Sequence, residues 1–140
     1  MTHRIQTLQN TAIRLITFNG PRVSATPLYA ELGILKAFDQ VKVINILHVH
    51  KYLNGNLPTD ALDTLKFDKI NHSIGTRYNS VSLPKYRSIN TTSYSLNSFT
   101  RLSSIHWNEL QKASNFDLSE LKFSSLKSLS TKFHISKYTE

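Results

Sequence analysis

The hydrophobic pattern centres on residues 34–55, ILKAFDQVKVINILHVHKYLNG, the longest strongly apolar run with no internal Gly or Pro. Phe38, Val41, Ile44 and Leu47 fall three apart, and Val43, Ile46, Val49, Tyr52 and Leu53 widen the stripe beyond half the circumference. A helix apolar that far round needs cover on several sides, so the spacing predicts a central helix near 36–53. The β-branched run from Val41 to Ile44 also suits a strand. Roughly 16 uninterrupted residues are too long for an ordinary strand, however, and length decides for the helix.

Ile5, Leu8, Ala12, Leu15 and Ile16 keep the same period, with Arg4, Gln6, Gln9, Asn10 and Arg14 on the other side. They predict an amphipathic helix over 3–18, stopped by Asn19-Gly20-Pro21 and packed by its apolar stripe on the central helix. Next, Thr26 suits an N-cap, Pro27 a first helical position and Gly33 the left-handed residue past a helix end. A two-turn helix therefore precedes the central one, anchored by Leu28, Leu32 and Ile34. The central helix stops at Asn54-Gly55, and a short helix over 59–65 follows. From 66 to 97 Gly75, Pro84 and many Ser, Thr and Asn residues break any period. That stretch reads as loop with one or two short strands at most. Helical spacing returns at Phe99, Leu102, Ile105 or His106, and Leu110, with Trp107 on a flank, predicting a helix over 98–112. Ser114-Asn115-Phe116-Asp117 then reads as a capping box. It opens a last helix that carries Leu118, Leu121, Leu126, Leu129 and Phe133 and ends near His134. The expected fold class is mainly α: a single helical domain or fragment, with 1–65 as core, 66–97 loop-rich and 98–134 as C-terminal helices.

Composition sharpens this picture in one respect. Lys and Arg outnumber Asp and Glu by 17 to 9, a net charge of +8 over 140 residues. The excess is spread along both halves rather than gathered in a tail. A diffuse basic balance suits a polyanion such as nucleic acid, and equally a merely soluble basic protein. With no Cys, disulfides, thiolate zinc sites and cysteine nucleophiles are excluded. No apolar run reaches membrane-spanning length, and MTHRIQTLQN lacks the apolar core of a signal peptide. The expected setting is intracellular, nuclear or cytoplasmic, without a membrane partner.

Catalytic constellations are missing from the pattern. His48 and His50, two apart, point to different sides of a helix and suit no zinc spacing. No Asp pair sits on a strand-turn-strand, as two-metal polymerases need for magnesium. Asp60 and Asp63 read as helix-dipole residues. There is no Gly-rich phosphate loop and no nucleophile elbow. The expectation is a chain that alone is no enzyme and takes neither metal, cofactor nor small-molecule substrate. What remains is a basic and aromatic set: Arg77, Tyr78, Lys85, Tyr86, Arg87, Tyr94, Arg101 and Trp107. Cations neutralise phosphates and aromatic faces stack on unpaired bases. The same aromatics serve equally well as core plugs and loop anchors. With Arg4 and Arg14 on the first helix, the candidate nucleic-acid contacts are Arg4, Arg14, Arg77, Lys85, Arg87 and Arg101.

Five pieces, read in order, carry a family resemblance. They are IQTLQNTAIRLI from Ile5, PLYAELGIL from Pro27, KYLNGNLP from Lys51, HSIGTR from His72 and WNEL from Trp107. Together the chain resembles, over about residues 4–133, the region after the polymerase in reverse transcriptases of LINE-type, non-LTR retrotransposons of the jockey and chicken-repeat kind. It departs in having Gln111 where the family usually has Pro, and in a Ser- and Asn-rich 79–98 where members carry more Arg and Lys. The resemblance implies a non-catalytic, thumb-adjacent C-terminal part. Its partners would be template RNA or an RNA–DNA duplex and the polymerase domain of the same element. The family's magnesium-binding aspartates would precede Met1. The alternative is a decayed relic or a helical protein-interaction module, marked by exposed apolar surface.

Overall fold

The structure, a computed structural model, describes residues 2–58, 99–114 and 116–139. The chain is mainly helical, and the described residues contain no strand. In order they form α1 (Thr2–Ile16), α2 (Ala25–Leu32), α3 (Ala37–Leu53), α4 (Phe99–Ala113), a 3-10 turn (Leu118–Glu120) and α5 (Phe123–Ser136). The helix expected over 59–65 and the strands expected within 66–97 lie outside the described residues. Two compact units divide the chain: Met1–Val43 with Ser128–Glu140, and Ile44–Lys127.

In the first unit α1 packs on α2. Ile13, Ala25, Leu28 and Tyr29 form a small core against which Tyr138 rests. The side of α1 that meets this core is largely polar. Gln6 Nε2 donates to the Tyr29 hydroxyl at 2.9 Å, and that hydroxyl donates to Asn10 Oδ1 at 2.9 Å. Gln9 donates to the Leu35 carbonyl and accepts from the Ala37 N–H, both at 2.9 Å. The apolar stripe expected to face inward consequently faces out. Ile5 is 53% exposed, Leu8 71%, Leu15 70%, Ile16 61%, and Phe18 just past the helix 97%. Buried polar groups cost more unpartnered than apolar groups cost exposed, so satisfying Tyr29, Leu35 and Ala37 fixes the rotation of α1.

Helix α2 begins two residues earlier than expected, at Ala25 rather than Pro27. Ser24, in an extended conformation, holds the N-cap position without a side-chain capping bond. Thr26 is drawn elsewhere, its hydroxyl accepting from Lys36 Nζ at 3.0 Å. Pro27 remains in the first turn, where no N–H is needed. Gly33 takes the expected left-handed conformation at φ 64°. Its N–H bonds to the Ala30 carbonyl and the Ile34 N–H to that of Tyr29.

Along α3 the buried positions are Val43, Asn45, Ile46, Val49 and His50, while Phe38, Val41 and Ile44 stand about half exposed. The stripe drawn from three-residue spacing is thus the open side. Polar partners again decide the rotation, because a helix apolar almost all round has no preferred side of its own. Asn45 Nδ2 donates to His106 Nδ1 at 3.2 Å, and His50 Nε2 lies 2.8 Å from the Leu121 carbonyl. A carbonyl only accepts, so His50 carries its proton on Nε2. His50, 5% exposed, is therefore an internal strut. Gly55, at φ 67°, ends the helix where Asn54-Gly55 predicted.

In the second unit Ser103, Ser104, Trp107, Leu110 and Gln111 make the buried side of α4, with Trp107 central rather than flanking. Gln111 clamps the following loop: Nε2 donates to the Phe116 carbonyl at 2.8 Å, and Oε1 accepts from the Leu118 N–H at 3.1 Å. Asp117 caps the 3-10 turn by accepting from the Ser119 N–H at 2.9 Å. The single last helix expected after Ser114 is therefore two elements. The five-residue step from Leu121 to Leu126 fits no helical repeat, and the chain breaks between them.

Candidate nucleic-acid interface

Of the six sequence candidates, Arg4, Arg14 and Arg101 fall on described helices; Arg77, Lys85 and Arg87 lie outside the described residues. Arg4 and Arg14 share α1, about 15 Å apart along its axis. Arg4 is exposed beside the apolar stripe. Arg14 is half-buried, and its Nε donates to the Val23 carbonyl at 2.7 Å. That bond pins the guanidinium against the chain after α1 and gives Arg14 a structural duty. Arg101 lies on α4 in the other unit, half-buried. Trp107, a candidate for base stacking, is 1% exposed and has no face to offer a base. Tyr78, Tyr86 and Tyr94 lie outside the described residues.

Arg22 was not among the sequence candidates. Arg22 is exposed and directly precedes Val23, whose carbonyl holds Arg14. The chain thus draws two arginines to one corner of the first unit. The turn signal Gly20-Pro21 marked the corner, but nothing in spacing tied residue 22 to residue 14.

A polar cluster around Asp39 was not foreseen either. Asp39 Oδ2 accepts from the Tyr138 hydroxyl at 2.6 Å and Oδ1 from Lys42 Nζ at 2.8 Å. The Lys36 N–H donates to the Tyr138 oxygen at 3.1 Å, and Lys36 Nζ lies 4.6 Å from the centre of the Tyr138 ring. His134 Nδ1 stands 3.9 Å from Asp39 Oδ1. Burial pushes the Asp39 carboxyl up, but Lys42, the Tyr138 hydroxyl and His134 together outweigh it and hold the group below its ordinary value. Burial, then the bond to Asp39, drives the Tyr138 hydroxyl far above its ordinary value. A phenol so held keeps its proton and donates it in a hydrogen bond. The cluster braces the start of α3 against the C-terminal segment.

Among the described residues no three His, Asp or Glu side chains gather to hold a metal ion. No described helix is long and apolar enough to cross a membrane. Comparison with protein-family models, curated proteins and solved structures finds no match for this chain.

Proposed function

We propose that the chain is a non-catalytic helical segment of a LINE-type reverse transcriptase, contacting template RNA or an RNA–DNA duplex beside the polymerase domain of the same element. The ordered run of five motifs over residues 4–133 carries this reading. The places those motifs occupy lend it support. Leu28, Tyr29, Trp107 and Leu110 are core residues, and Gly33 and Gly55 are left-handed helix ends. Three of the five motifs thus place residues at caps and core positions, which suits a shared architecture and leaves the nucleic acid to the basic side chains around it. A-form duplex is held mainly by such backbone contacts.

RNA binding titrated over a range of salt tests the reading. Replacing Arg77 and Arg87 together by Ala should weaken binding and flatten the log–log salt slope by roughly 1.5. An unchanged slope removes both from the interface, and no RNA binding at low salt overturns the reading as a whole. Translation of the frame upstream of Met1 tests the family assignment directly: paired aspartates on a strand-turn-strand support it. A second reading, a helical protein-interaction module, is favoured by one observation, the outward apolar stripe of α1.

A further inference from the structure

The outward side of α1 has the layout of a helix-pairing seam. Ile5, Leu8, Ala12 and Leu15 follow one another at steps of three, four and three, the spacing of alternating core positions in a coiled coil. All four are exposed. The helix beneath them is already held by Tyr29, Leu35 and Ala37, so its ordering cost is met before any partner arrives. With Ile16 and Phe18, 61% and 97% exposed, six apolar residues of this segment are open to solvent, a concentration of the kind that marks an interaction surface.

We propose that two copies of this chain pair through α1, antiparallel, about a two-fold axis at the level of Asn10. This register sets Ile5 of one copy against Leu15 of the other, and Leu8 against Ala12. Each large Leu8 meets a small residue, and the same patch serves both copies, as a two-fold interface requires. Charge favours the antiparallel sense. Among the described residues of α1, Arg4 is the cation bordering the seam, since Arg14 is turned to the Val23 carbonyl. Parallel helices would set the two Arg4 side by side. Antiparallel ones place them about 18 Å apart along the axis, beyond a Debye length, and oppose the two helix dipoles. A lipid surface suits the helix less well. Interfacial helices carry a strongly charged polar side, whereas here Gln6, Gln9 and Asn10 are spent on internal bonds. The pairing rests on this seam and not on nucleic-acid binding, which RNA titration reads separately.

Sedimentation equilibrium of the whole chain, with circular dichroism as a control for folding, provides the test. Wild type should be a dimer at about 50 μM and dissociate on dilution, as specific interfaces span micromolar and tighter affinities. Leu8→Glu should be a monomer of unchanged helicity, because residue 8 touches little of its own chain. The double variant Leu8→Glu, Ala12→Lys should regain the dimer, since antiparallel pairing sets each new anion against a new cation across the axis. A monomeric wild type overturns the proposal, as does a dimer that survives Leu8→Glu. Loss of the dimer with no rescue in the double variant overturns the antiparallel register. A wild type that stays monomeric in buffer but floats with anionic phospholipid vesicles assigns the face to lipid instead.

Discussion

Single side chains with two hydrogen bonds determine much of this structure. Gln111 spans the turn after α4 with one donor and one acceptor. Helix α4 continues through it to Ala113, so a proline at this position would break the last turn as well as the clamp. Gln111→Ala leaves the buried Leu118 N–H without its acceptor, and should cost about 1–3 kcal/mol in urea unfolding. Asp39 acts likewise on the first unit, and its contribution depends on pH. Its folded-state pKa is lowered, so the stabilisation is present above the ordinary carboxylate value and is lost as pH falls through the folded value. Wild type should exceed Asp39→Asn in stability at neutral pH. That advantage should shrink as pH drops below about 4, read from thermal unfolding across acid buffers. A gap that holds constant through the acid range would show that Asp39 acts by shape rather than by charge.

At the scale of elements, helix ends are where local chemistry speaks most plainly. Gly33 and Gly55 both adopt positive φ, and a Cβ at either would meet nothing within 4 Å. The cost of Gly33→Ala is therefore the left-handed backbone alone, about 1–2 kcal/mol, and thermal unfolding should register it without loss of helicity. These ends were legible from sequence because a glycine after an apolar period has one economical use. The mainly helical fold and the placing of α1, α3 and α4 were legible for a similar reason, since the 3.6-residue period is local. Which side of each helix packs was not. On α1 the polar Gln6, Gln9 and Asn10 face inward, and on α3 Asn45 and His50 do, because their partners lie 19 to 71 residues away in the chain. Hydrophobic spacing carries no information about such partners. For the candidate interface Arg4 is an exposed cation, the sequence gave no sign that Arg14 is tied to Val23, and for Trp107 it left base stacking and core packing equally open where the structure shows burial. Only long-range packing decides those.

For the molecule as a whole, two surface properties act in opposite directions, and salt separates them. The net charge of +8 is distributed over both halves of the chain, so binding to a polyanion releases counterions and weakens steeply as salt rises. The same charge makes two copies repel, an effect that salt screens. Apolar pairing through α1 has no counterions to release and gains from that screening. RNA affinity and self-association of one preparation should therefore move oppositely between about 50 and 500 mM salt: affinity for RNA falling by orders of magnitude, the dimer holding or tightening. Leu8→Glu should remove the second response and lower the salt slope of the first by no more than the one phosphate contact of Arg4, from which the new carboxylate stands one helical turn away. If salt instead dissolves the dimer, charge rather than the apolar seam holds the copies together, and the α1 pairing is wrong. If RNA affinity ignores salt, the basic surface is not what meets the phosphate backbone. The two responses thus judge the nucleic-acid reading and the pairing reading independently, on one protein, without requiring either to be true for the other to be seen.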